Sequence, residues 1–512
     1  MKRSTLASLT AGLLLLAASG CRSEAELPPP RTEVILEKGS ETAWERVLAA
    51  HPLPEEIQLV RLSGDSPGGA GAGTRNPDTS DEAPPAARLT VSRTGFTALS
   101  GIMDLAEREN TAVLGITAFV PATELLDPAT GISKAEALRG GYPLLPYGSI
   151  RPPGKGLSVE GRYPGDPMYP LYRGVVAELE GGSAAFEKLS RWIEGIAPPA
   201  PPSPPVWSAA VGDIMPGRGV DWTLTGFDDG IERIFSDTLP LLQSADITLG
   251  NLETVISRAG ERLAKSYNFR SPPEVLGPLE DAGFDYLSLT NNHCFDYGPE
   301  GFLDTLDSLE SAGILTSGAG KNESEASKHV EIQRGGITFR ILSMGAYPRE
   351  ANGFDGSRTA RAVGEKPGIL WADSPGAVGK ILEGVSTPES FDIVMVHGGR
   401  EWQSLPSPDQ VALYRSFVDN GADLVLGSHP HVLQPMEAYR GKIIAYSLGN
   451  FIFPGMEETL YGEETMILRV GITGTDTAYV EVHPVRIRGR FVGLDTTGTI
   501  HKRFFELSRS RF

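Results

Sequence analysis

From residue 206 to residue 454 the sequence alternates short apolar runs, each broken at small or polar residues, with amphipathic stretches. The apolar runs fall at 207–211, 246–249, 285–289, 337–343, 391–396, 422–426 and 442–446. Helical spacing of apolar residues recurs between them, at 230–242, 273–282, 299–312, 374–383 and 408–420. Runs this short and this continuously apolar read as buried strands. Strands alternating with helices restrict the chain to a layered α/β fold, with ligand groups at the C-terminal ends of the strands. The segments 464–472 and 478–487 read as further strands that complete a sheet.

The strand-end loops carry the residues of chemical interest. Gly427-Ser428-His429-Pro430-His431 follows the run 422–426. In an extended segment His429 and His431 point to the same side, so two imidazoles face one site. A pair of histidines in a surface loop is the plain alternative, but the pattern repeats. Asp213 follows the first strand, and Asn251 and Glu253 follow the second with the same two-residue spacing. Asn292 and His293 follow the third, and His397, Arg400 and Glu401 lie beyond 391–396. Half of the 8 histidines thus sit in three strand-end loops. Two divalent ions about 3.5–4 Å apart can clamp the attacking and leaving oxygens of a phosphoryl displacement. Such a site needs a carboxylate and several N or O ligands from separate strands. Asp213, Glu253, Asn292, His293, His397, His429 and His431 make a fitting set for one or two divalent ions, Mn, Fe, Zn or Mg. His397 or His293 is alternatively a general acid to the leaving group. Arg218 and Arg400 can take anionic oxygens bidentately. Asn251 and Glu401 are grouped with them as substrate-binding residues, and solvated surface positions are the alternative for the arginines. Cys294 is expected to pack beside the site rather than bind.

The sequence before residue 206 is organised differently. Met1-Lys2-Arg3, an apolar stretch from Leu6 to Ala18 and Ala18-Ser19-Gly20-Cys21 have the form of a secretory leader. The last four residues resemble the lipobox of bacterial lipoproteins. That resemblance implies a lipidated Cys21 and membrane attachment outside the cytoplasm, periplasmic or extracellular; a plain signal peptide is the other reading. Residues 22–32 read as a tether and 33–196 as a smaller α/β domain with a flexible Gly/Pro-rich insert at 63–87. Ala197 to Pro205 is a proline-rich linker. A net charge of −19 argues against nucleic acid as a partner. No window after residue 25 is long and apolar enough to span a bilayer.

The ordered motifs Gly-Asp-Ile-Met-Pro-Gly-Arg (212–218), Asn-Leu-Glu (251–253), Asn-Asn-His-Cys-Phe-Asp-Tyr-Gly (291–298), His-Gly-Gly-Arg-Glu-Trp (397–402), Gly-Ser-His-Pro-His (427–431) and Ser-Leu-Gly-Asn-Phe (447–451) resemble the CapA family. These are poly-γ-glutamate and capsule biosynthesis proteins. The resemblance implies a four-layer α/β/β/α sandwich of the calcineurin-like metallophosphoesterase kind over 206–512. It implies a metal-dependent hydrolase or transferase acting on a phosphate ester or anionic cell-envelope polymer, with envelope biosynthesis subunits as possible partners. A non-enzymatic, polymer-binding envelope scaffold on a degenerate fold is the alternative. Two positions depart from the metallophosphoesterase pattern. Met215 stands where a histidine is usual, and Asn251 where an aspartate is usual, with Glu253 as the replacement carboxylate. A thioether is a poor ligand for hard divalent ions.

Overall fold

The computed structural model describes residues 32–36, 40–53, 59–63, 87–181, 184–351 and 353–511. Cys21, the leader and the interior of the 63–87 insert lie outside these residues. Contacts divide the chain into two compact units. The first holds the described residues up to Arg93, with Arg108–Leu114 and Val176–Ala197. Its strand Thr32–Leu36 pairs in parallel with Leu59–Ser63 on one side and Ala87–Arg93 on the other. Helices Glu41–Ala50 and Ala184–Glu194 meet through Trp44 and Trp192, edge to face with centroids 5.8 Å apart.

The second unit takes Thr94–Glu107, Gly115–Val175 and the chain from Pro198 onward. Residues 94–107 and 115–175 therefore cluster with the C-terminal half, not with the other parts of 33–196. The physical reason is apolar: Val120, Ala122 and Ile150 share one buried cluster with Trp207, Ala478 and Tyr479.

Two sheets organise this unit. In one, Val206–Ile214 pairs in parallel with Ile247–Leu252, which pairs in parallel with Tyr286–Ser288. The other edge of Val206–Ile214 receives Glu464–Thr473 antiparallel, followed by Asp476–Arg488 and Phe491–Leu494. The tail thus completes the sheet. In the other sheet, Ile337–Ala346, Ser390–Gly398, Leu424–Ser428 and Lys442–Ala445 run parallel in that order. Val330–Arg334 and Met436–Tyr439 close its edges antiparallel. Helices Gly298–Ser311, Pro375–Leu382 and Pro408–Asp419 match the expected spans to within a residue. The expected 230–242 helix is instead three short pieces, Gly230–Phe235, Ser236–Thr238 and Leu239–Gln243. Ser236 has a φ of 47° and Pro240 follows, so one continuous helix cannot pass.

Period-two alternation sorts the strand residues between cores. Phe391, Ile393 and Met395 join Ala210, Leu249 and Tyr286 in a cluster shared by both sheets. Val394 and Val396, on the opposite face, pack with Val411, Tyr414 and Phe417 of helix Pro408–Asp419. On the outer face of the first sheet Ala209 and Val211 pack with Leu276, Leu279, Phe302 and Leu309 of helices. Burial of these faces leaves the parallel strands' C-terminal ends as the place where polar groups collect.

Candidate metal centre

Backbone crossings place the ligand-type residues. Gly212 lets Val206–Ile214 pass the 447–451 loop: a Cβ there would lie 1.8 Å from the Gly449 carbonyl oxygen. The Asp213 backbone N–H then donates to that oxygen at 3.0 Å. Gly427 serves the same end, since a Cβ there would sit 2.1 Å from the Tyr446 oxygen. Register puts Asp213 beside both Asn251 and Asn450, and His397 beside Ser428. The histidine pair reaches the site differently from expectation. The strand ends at Ser428, and His429 and His431 take φ values of 96° and 58°. Two left-handed residues, rather than the pleat of a strand, aim the imidazoles. Such conformations cost about 1–3 kcal/mol each and persist where the surroundings over-determine them.

Five of the other six expected ligands gather around Glu253, which is fully buried. Its Oε1 lies 3.9 Å from His293 Nε2, 3.8 Å from His397 Nε2 and 3.7 Å from His431 Nε2. His431 Nδ1 is 3.1 Å from Asp213 Oδ2. His429 Nδ1 is 3.1 Å from His397 Nε2. The seventh, Asn292, also joins, with its Oδ1 3.0 Å from His397 Nε2. Ligand atoms of Asp213, Glu253 and His431 lie within 4.8 Å of one another, and so do those of Glu401, His429 and His431. Neither oxygen of Glu253 has a hydrogen-bond partner. A buried carboxylate without hydrogen bonds is costly by itself. Set among converging imidazole nitrogens and a second carboxylate, it suits a divalent cation, and the residues present fit one. Cys294 is a free thiol in the neighbouring apolar cluster, and burial pushes its pKa up, away from the thiolate form.

Electrostatics agree with that donor set. Burial, then the Asp213 charge, pushes the Glu253 pKa well up. Burial lowers His293, and burial followed by neighbouring imidazoles holds His397 and His429 well below the ordinary range. These histidines are therefore neutral, the form that ligates. For His431 burial acts downward, but the hydrogen bond and charge of Asp213 outweigh it and the net shift is upward.

Several supporting residues escaped the sequence reading. Asp296 Oδ2 lies 2.6 Å from His293 Nδ1, which leaves Nε2 directed toward Glu253. A carboxylate behind a ligating imidazole fixes its tautomer and raises its basicity. Buried Lys265 joins Asp296 at 2.8 Å, Glu350 at 3.1 Å and the Asn292 carbonyl at 2.6 Å. Asn450 Oδ1 is 2.9 Å from His431 Nδ1, and Ser428 Oγ is 2.9 Å from His397 Nδ1. The Tyr347 hydroxyl donates to the Asn291 carbonyl, and its ring borders both His397 and His429.

The residues expected at a substrate divide into two groups. Asn251 is buried; its Nδ2 donates to Asp213 Oδ1 at 2.8 Å and its Oδ1 accepts from Asn291, so it positions the ligands. Arg400 and Glu401 are exposed and line a cavity of about 260 Å³ together with Arg349, Tyr267 and His429. Arg218 is exposed and lines a neighbouring cavity. Met215 is buried in an apolar cluster with Phe269 and Phe453. Among the described residues no helix is long and apolar enough to cross a membrane.

Fold and site together define an α/β protein with candidate metal-binding clusters at the ends of parallel strands. Residues 208–455 match the family described as Bacterial capsule synthesis protein PGA_cap. The chain is 33% identical over 283 residues to "PGA biosynthesis protein CapA" of Bacillus subtilis strain 168, covering 54% of this chain and 70% of that protein. It is 32% identical over 289 residues to "Capsule biosynthesis protein CapA" of Bacillus anthracis, covering 54% of this chain and 66% of that one. This chain belongs to the CapA family of capsule biosynthesis proteins. A solved structure of a hypothetical protein from Thermus thermophilus aligns over 57% of this chain and 100% of its own, with TM-score 0.36 and 16% identity, too distant to bear on the fold.

Proposed function

We propose that this protein is a metal-dependent hydrolase or transferase of capsule biosynthesis, acting on a phosphate ester or on an anionic cell-envelope polymer such as a γ-glutamyl chain. The observation that carries the reading is Glu253: a fully buried carboxylate, unpartnered at both oxygens, with three imidazole nitrogens 3.7–3.9 Å from one of them. The names printed for the two Bacillus relatives supply the capsule and PGA context. The outer-face helices, the two sheets and the shared core between them support a four-layer α/β/β/α arrangement of metallophosphatase kind. Residues 33–196 are proposed as an accessory region, and Cys21 as a lipid anchor at the envelope face outside the cytoplasm.

Asp213, Glu253, Asn292, His293, His397, His429 and His431 would hold one or two divalent cations. A bound cation supplies Lewis acidity, polarising the substrate oxygen and acidifying water. The chain's own residues do the remainder. Asp296 keeps the His293 proton on Nδ1, and Asn251 holds Asp213 in place. Burial keeps His397 and His293 uncharged, so acting as acid to a leaving group is the alternative role for whichever of them does not hold the cation, and only after it has accepted a proton. His429 is the imidazole that lines the open cavity, and Arg400 on the same wall can hold an anionic oxygen.

Metal analysis of the purified chain, with hydrolysis of generic phosphomonoesters and phosphodiesters in added Mn²⁺, tests the reading. Stoichiometric metal that His429→Ala/His431→Ala loses, together with metal-dependent turnover, is the expected result. Absence of metal from the wild type defeats it. Met215 favours a second reading, a polymer-binding scaffold, because the side chain sits in an apolar cluster where metallophosphoesterases usually carry a ligand. Metal without turnover on any ester would select that reading.

A further inference from the structure

Beside the His429 cavity lies a second one, of about 180 Å³, whose walls carry Arg218, Arg262 and Arg270 and no carboxylate. In a chain of net charge −19 this is a local reversal of sign. None of the three arginines is ion-paired with a carboxylate among the described residues. Each is nevertheless held in place. Arg218 Nη1 donates to the Pro454 carbonyl at 2.7 Å, and its guanidinium lies 5.0 Å from the Phe269 ring centroid. Arg262 Nε donates to Asn268 Oδ1 at 2.7 Å. The Arg270 guanidinium lies 4.0 Å from the Tyr297 ring. Guanidiniums fixed this way retain further N–H donors in a planar fork suited to carboxylate or phosphate oxygens, and lose little freedom on binding.

The two cavities share Ser266 and Tyr267, and Tyr267 is 66% exposed. A ligand seated at His429, Arg400 and Glu401 can therefore continue past Tyr267 into the arginine cavity. Phe269, in the wall of the arginine cavity, links it to the metal centre: its ring centroid lies 4.1 Å from that of His293, and the Arg218 guanidinium sits over the same ring. A single small ester would have no use for a second cationic cavity, whereas a chain bearing regularly spaced acidic groups would occupy both.

We propose that Arg218, Arg262 and Arg270 form an anion subsite for a second acidic group of the same substrate molecule, so that the protein reads a polyanionic chain, of carboxylates or phosphates, rather than an isolated ester. This rests on the proposed reading of the metal centre as the place where the substrate reacts.

The test compares the full chain with R262Q/R270Q, leaving Arg218 intact because it packs on Phe269. Dissociation constants are measured for a glutamate oligomer, for inorganic polyphosphate of similar charge, and for inorganic phosphate. The variant is expected to lose about tenfold in affinity for at least one polyanion, the scale of two partly screened charged contacts. Which polyanion loses affinity distinguishes carboxylate from phosphate chains. Affinity for inorganic phosphate is expected to hold, and R262K/R270K to recover part of the loss. K134Q/R139Q removes equal charge from residues that do not line this cavity and is expected to lose nothing. Undiminished binding of both polyanions overturns the proposal. So does an equal loss for inorganic phosphate or an equal loss in K134Q/R139Q. Metal content is read on the same samples. A metal-free wild type defeats the catalytic reading, whereas metal-bound protein with undiminished polyanion binding defeats the subsite alone.

Discussion

Replacing Glu253 by leucine should reverse the order of stability between two solutions. In chelator, wild type holds a carboxyl group that is fully buried and hydrogen-bonded at neither oxygen. Burial, then the Asp213 charge, pushes its pKa well up, and a buried carboxyl group to which nothing donates costs about 1–3 kcal/mol. Leucine has a similar volume and no polar atom. Its three nearest imidazole nitrogens, at 3.7–3.9 Å, lose no hydrogen bond by the exchange. Glu253→Leu should therefore be more stable than wild type in chelator by about 1–3 kcal/mol. With Mn²⁺ at about a thousand times its dissociation constant, wild type gains about 4 kcal/mol by mass action. The variant lacks the central carboxylate and should gain little, so wild type becomes the more stable protein. Urea unfolding followed by tryptophan fluorescence and far-UV circular dichroism, in both solutions, measures the four values. A variant that is less stable in chelator, yet gains as much from Mn²⁺ as wild type, would refute the assignment of Glu253 as the centre's carboxylate.

Asp296→Asn removes the charge behind His293 and one of the two carboxylates paired with buried Lys265, so it should weaken metal binding about 10–100-fold, read by competition with a chelating dye, and also lower the unfolding midpoint. Gly427→Ala forces a Cβ to 2.1 Å from the Tyr446 oxygen, so the parallel sheet must shift; soluble yield and the unfolding midpoint should both drop. Met215→Leu conserves volume within the Phe269–Phe453 cluster and should cost less than about 1.5 kcal/mol while leaving metal content unchanged, as measured by elemental analysis. Lys155 is buried, and burial pushes its ammonium from 10.5 down to about 8, against the pull of Asp127 and Glu481. Between those values the unfolded chain holds more protons than the folded one, so stability should rise with pH by up to about 3 kcal/mol from this residue. Denaturant titrations at pH 8 and 10 should show that rise in wild type and a flatter profile in Lys155→Met.

Much of this arrangement was readable from residue types alone, because parallel strands buried on both faces advertise themselves as apolar runs. Their ends then name the site: Asp213, Glu253, His293, His397, His429 and His431 each follow such a run, and all meet. The same rule, applied once more, would have found Tyr347, which follows strand Ile337–Ala346. Asp296 was also within reach, three residues beyond His293 in one quoted motif, as was Asn450 in another. Lys265 had no such signal. It sits in a polar stretch without periodicity, and only the folded chain brings it to Asp296, Glu350 and Asn292. The left-handed backbone at His429 and His431 was equally hidden, since histidine takes a positive φ at only a minority of its positions and nothing local says which. Nor could local pattern assign 115–175 to the second unit, because that depends on Val120 and Ala122 meeting Trp207 and Tyr479. Local periodicity reports which residues are strand ends. Which of them share a centre, and which cations steady it, is decided by contacts between distant segments, so substitutions at Lys265 and Asp296 test the assembled site more directly than further substitutions of the histidines.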